Sequence, residues 1–99
     1  MKQEEAIRIA LDMRSTWDVD SGFADAAAEK CIVEIVQGQP VDKMPGAGPT
    51  VDHVAWVVTL SKDFSTVEFA IDDATGLLLR IRKSRSAVLD AERRKGNAS

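Results

Sequence analysis

Three short segments in the second half of the chain alternate between apolar and mixed positions. In residues 53–60, Val54, Trp56, Val58 and Leu60 alternate with His53, Ala55, Val57 and Thr59. In 65–71, Val67, Phe69 and Ile71 alternate with Thr66, Glu68 and Ala70, and in 77–82, Leu77, Leu79 and Ile81 alternate with Leu78, Arg80 and Arg82. A period of two places one set on each side of a pleated strand, so one face reads as apolar throughout and the other as mixed. That is the pattern of an antiparallel sheet covered on one side. Ser61-Lys62-Asp63 is short enough to demand a hairpin, and Asp72-Asp73-Ala74-Thr75-Gly76 reads as a turn with acids capping backbone amides and Gly76 in a left-handed conformation.

The first half predicts the cover. Residues 3–15, QEEAIRIALDMRS, are mostly good helix formers with acids in the first turn. Ala6, Ile7, Ile9, Ala10, Leu11 and Met13 make a face too wide for a coiled-coil seam and suited to a sheet, and Trp17 joins that side if the helix continues. Residues 18–37 admit two readings. DSGFADAAAEK resembles a short helix capped by Asp20 or Ser21, while CIVEIVQ is rich in β-branched residues and ends at a glycine. The preferred reading is a helix over 21–28 and a strand over 30–37; the alternative is one helix running to Val36. Residues 38–52 hold all three prolines and three of the six glycines, which predicts a long loop that crosses the sheet or meets a partner.

The expected fold is therefore α+β: a single small domain over 1–99, its N-terminal helix packed on one face of a three- or four-stranded antiparallel sheet. Ninety-nine residues suffice for one core and not for two. No apolar run is long enough to cross a bilayer, and MKQEEAIRIALDMR lacks the hydrophobic stretch of an export signal. A cytoplasmic protein with no membrane insertion is expected, unless the chain is a trimmed exported form. Charge is unevenly spread. Residues 1–79 carry six Lys or Arg against fourteen Asp or Glu, whereas 80–99 carry seven against two. The body is acidic, and residues 83–99 read as a basic, frayed tail around a short helix at SAVLDAER.

The helix EEAIRIAL, the strand Trp56-Val57-Val58-Thr59-Leu60 and the run from Val67 to Leu79 together resemble a PepSY-like domain. Such domains carry a tryptophan-bearing strand and a later strand that ends in an Asp-x-x-Thr-Gly turn. Here Trp56 is the strand tryptophan, and Asp72 or Asp73 with Thr75 and Gly76 occupies the turn. The resemblance implies a helix on a small antiparallel sheet and a regulatory or noncatalytic binding role. It covers about a third of the chain closely; the region 18–50, the basic tail and the lack of an export signal depart from it.

Chemistry-bearing residues are sparse. His53 is the sole histidine; its neighbour Asp52 would orient it as a general base only if the two shared a face, and a strand separates them. Cys31 is the sole cysteine, which excludes an intrachain disulfide, and CIVEIV reads as core around an unreactive thiol. Asp72 and Asp73 read as turn caps rather than metal ligands, Asp18, Asp20 and Asp25 show no convergent spacing, and PGAGPT lacks the lysine of a phosphate-binding loop. No catalytic, cofactor or metal residues are expected.

The reading reached is a noncatalytic binding or regulatory module with a protein partner, self-association included. Its candidate interface lies on the mixed sheet face and comprises Ala55, Val57, Leu78, Arg80 and Arg82. Two alternatives stand beside it. The basic segment 80–95 would serve a nucleic-acid-associated protein, although the acidic body and the absence of tyrosine disfavour that. A small hydrolase would use His53 and nearby acids.

Overall fold

The computed structural model describes residues 1–43 and 46–85. The expected helix at SAVLDAER and the part of the basic 83–99 tail from residue 86 on lie outside the described residues, while Lys83–Arg85, expected to be frayed, continue the last strand. The elements run α1 (Gln3–Asp12), β1 (Asp25–Val36), β2 (Thr50–Lys62), β3 (Ser65–Asp72) and β4 (Leu78–Arg85). The strands form one antiparallel sheet in sequence order, with β1 and β4 at its edges and α1 lying over β1, β2 and β3. This is the α+β arrangement that the alternation predicts.

Register shows why the apolar set works. Val58 stands opposite Phe69, which stands opposite Ile81; Leu60 stands opposite Val67; and Trp56 stands opposite Ile71, which stands opposite Leu78. Directly opposed residues share a face, so these side chains form one layer. Phe69, Leu60, Ile71 and Val58 are its largest fully buried members. The helix meets them with Ala6 and Ala10, both wholly buried, whose small side chains let its axis approach the sheet. Burying each large side chain contributes roughly 1.5–3 kcal/mol, more than any single turn in the chain.

The helix ends at Asp12, three residues earlier than the composition suggests. Arg14 closes the end: its Nε donates to Leu11 O at 3.0 Å and its Nη1 to Ser21 O at 2.8 Å. Trp17 then follows in a tight turn with Asp18 at φ 58°, and its ring still packs against the core.

Residues 21–28 are not helical, and neither is the stretch to Val36. Asp20 Oδ1 accepts the Gly22 amide at 2.8 Å, as an N-cap would, but Phe23 N–H closes a single turn on Asp20 O and the chain extends from Asp25. An isolated helix of eight residues is below the length that sustains itself in water, whereas all of Asp25–Val36 pairs with β2. Strand pairing overrides the preference of Ala26, Ala27 and Ala28 for a helix.

The last strand brings a second correction. A bulge shifts the β3–β4 register: Ala70 pairs with Arg80 but Ile71 with Leu78, leaving Leu79 over. Strict alternation predicts Leu77, Leu79 and Ile81 on the core face. Instead Leu78 and Ile81 pack toward the helix, Leu77 is 65% exposed, and Leu79 borders Pro40 and Ile35.

The loop between β1 and β2 crosses the mixed face and ends at Pro49, since β2 starts at Thr50. It leaves β1 at one edge of the sheet, passes Gln39 and Pro40 beside Leu79 and Arg80, and reaches the other edge, where Val41 O accepts the Ile81 amide at 2.8 Å. Small buried residues, Ala55, Ala70 and Val33, occupy the face it crosses.

Candidate functional site

The Asp-x-x-Thr-Gly turn is built from both aspartates, with separate tasks. Asp72 holds the turn: its carboxylate accepts the Thr75 hydroxyl at 2.8 Å and the Ala74 amide at 3.3 Å, and its carbonyl accepts the Gly76 amide at 2.8 Å. Gly76 sits at φ 73°, where a β-carbon is strained. Asp73 turns inward. Its Oδ1 accepts the Trp56 indole N–H at 2.9 Å and lies 3.5 Å from the Met1 amino group, while Lys30 Nζ is 3.4 Å from Oδ2. Partial desolvation opposes the charge on Asp73, but the indole, Lys30 and the amino group outweigh it and hold the carboxyl below the ordinary aspartate range. These three partners make the arrangement a clasp between β1, β2 and the turn.

A second polar clasp sits at the other end of the helix. Asp20 accepts the Gly22 amide and Lys62 Nζ at 2.9 Å, and both lower its pKa. It ties the entry of β1 to the β2–β3 hairpin, where Asp63 stands at φ 54°.

The remaining concave surface runs along the outer edge of β4. A groove of about 920 Å³ is lined, among the described residues, by Thr16, Trp17 and Asp18 on one bank, Asp42 and Lys43 on the other, and Arg80–Ser84 as its floor. Its lining is net cationic, with Lys43, Arg80, Arg82 and Lys83 against Asp18 and Asp42. The backbone of the floor is paired with the loop at Ile81 and open at Lys83. Ile81 N–H points outward to Val41, so by alternation Lys83 also presents its N–H and C=O outward, and no described residue meets them.

The structure distributes the five expected interface residues over different surroundings. Ala55 has no exposed surface, and the bulge moves Leu78 into the helix-facing core, so neither offers first contact. Val57 and Arg80 are half-buried, and Arg82 is exposed. Only the two arginines line the groove, where sequence alternation alone has no means of pairing them with Trp17 or Lys43.

His53 stands opposite Val33 and Asp52 opposite Glu34, on opposite faces of the β1–β2 ribbon, and His53 lines neither the β4 groove nor the cleft at Pro40. Among the described residues, no three His, Cys, Asp or Glu side chains gather as a metal site. Cys31 is a free, half-buried thiol rather than a core residue, and its neighbour Ile32 is 69% exposed. No helix of the described residues is long and apolar enough to cross a membrane. Comparison with known proteins found no matching family, no matching curated protein and no matching solved structure.

Proposed function

We propose that the chain is a small noncatalytic binding module, regulatory in the manner that the PepSY-like resemblance implies, and that it takes an extended, acidic protein segment along the outer edge of β4. The observation that carries this reading is the coincidence of the unpaired outward N–H and C=O of Lys83, just beyond the Ile81–Val41 hydrogen bond, with a groove holding four cations. Strand addition uses main-chain hydrogen bonds for affinity and side-chain contacts for selection. Here Lys83 supplies backbone groups, Arg82 and Lys43 select acidic side chains, and Trp17 provides an apolar bank.

The same cations favour a second reading, contact with nucleic-acid phosphates, and one titration separates the two. A decapeptide alternating Asp and Val is added while tryptophan emission is followed, in parallel with a duplex DNA of equal charge. Saturable peptide binding that is lost in Lys83→Pro, which removes the outward amide, supports strand addition. DNA binding that falls steeply with salt, without peptide binding, replaces it with the phosphate reading. Binding of neither rejects the groove as a site.

A further inference from the structure

The opposite edge of the sheet carries a separate arrangement. Three hydrogen bonds fix which backbone groups of β1 face outward. Asp73 N–H donates to Val54 O at 3.0 Å, so Val54 points toward β3, and its partner Ile32 points away from β2. Gln37 N–H donates to Pro49 O, placing odd positions inward, and Gln3 Nε2 reaches Ala28 O from outside at 3.5 Å. Lys30, Ile32 and Glu34 therefore direct their N–H and C=O groups away from the sheet, and no described residue meets these groups.

The side chains of those same three residues complement one another. Lys30, Ile32 and Glu34 share one face, in the order cation, apolar, anion. A second β1 related by a two-fold axis through Ile32 runs antiparallel, sets Ile32 opposite its symmetry mate and places Lys30 opposite Glu34 on both sides. Neighbouring registers that keep the faces matched do worse. A shift of one residue in the axis toward Cys31 sets Lys30 opposite Ile32, and a further one sets Lys30 opposite Lys30. Moved toward Val36, the axis sets Glu34 opposite Ile32 and then opposite Glu34. Charges on an edge strand ordinarily repel a second chain, but in this one register opposite signs meet. Ile32 is the most exposed large apolar side chain described, and Val54 beside it on the same face is 47% exposed, so the axis also gathers four apolar side chains.

We infer that β1 is a homodimer edge: two copies join antiparallel through Lys30–Glu34 with Ile32 on the two-fold axis, extending the four-stranded sheet to eight. The inference does not depend on ligand binding at β4, which lies at the far edge.

Sedimentation of the full chain across micromolar concentrations tests it, with circular dichroism following the fold. The wild type is expected at twice the chain mass. Glu34→Lys, which sets Lys against Lys30 and spares the Lys30–Asp73 contact, is expected to weaken the dimer about tenfold or more. Lys30→Glu combined with Glu34→Lys restores the charge match and should recover most of the dimer. Oxidation gives a second readout, at Ile32 without a change in charge. In a Cys31→Ser background, Ile32→Cys should cross-link rapidly across the axis, since directly opposed positions lie within disulfide reach, whereas Glu34→Cys should not. A monomer at every concentration, a dimer indifferent to Glu34→Lys, or equal cross-linking at 32 and 34 would each overturn the proposal.

Discussion

The two faces of the sheet are covered by different means and use different residues to achieve it. Beneath the helix lie Phe69, Leu60, Ile71 and Val58, large side chains that fill the space between a helix and a pleated surface. On the face that the loop crosses, the buried residues are Ala55, Ala70 and Val33, with no large aromatic among them. An irregular chain rests directly on a sheet only where side chains are short, because it has no regular face of its own to fill a gap. The lesson is that an apparently mixed face need not be a free face. Ala55 is fully buried without belonging to the helix-facing core.

Substitutions should separate the two covers. Phe69→Ala opens a cavity in the helix-facing layer and should cost about 3–5 kcal/mol in denaturant unfolding. Ala70→Leu should cost less, about 1–3 kcal/mol, by overpacking the loop side; if it proves neutral, the loop does not rest on that face as closely as Ala70 burial requires. Gly76→Ala tests the turn alone. Its new β-carbon would meet Met1 Cε at 3.4 Å and Ile9 Cδ1 at 3.6 Å, ordinary contacts, so the expected loss of about 1 kcal/mol comes from the positive φ.

The smallest effect concerns acid. Asp73 has a lower pKa folded than unfolded, so its stabilising contribution is present above the ordinary aspartate value of about 3.9 and is lost as pH falls through the folded value. Asp73→Asn, or Trp56→Phe, which removes the indole donor, should flatten the acid limb of the stability profile while leaving its neutral limb parallel to wild type. An unchanged acid limb in both would show that the Trp56–Asp73 contact contributes nothing measurable.

Legibility in the sequence followed the range of the interactions. The alternation in β2 and β3 was readable because each residue's face depends on its immediate neighbours, and the turn from Asp72 to Gly76 was readable because its hydrogen bonds span a few residues. The second half of β1 was also readable, from the β-branched run after Lys30, but its first half was not, since Ala26 to Ala28 prefer a helix locally and become a strand through partners near residue 60. Leu79 shows the same limit: a bulge depends on register against β3, and Leu77 and Leu78 exchange expected surroundings because of it. Trp17 and Lys43 were invisible as groove residues because they come from separate connections that meet only at the β4 edge.

By itself the chain determined the amphipathic helix, the β2–β3 hairpin and the capped turn, because periodicity and turn chemistry act between residues close in sequence. Tertiary structure alone decided that β1 begins as early as Asp25, that Leu78 faces the helix, and that the loop after Val36 reaches the far edge of the sheet at Ile81. Those outcomes rest on pairing and burial between distant segments, whose free energy outweighs the weak local preferences of the residues concerned.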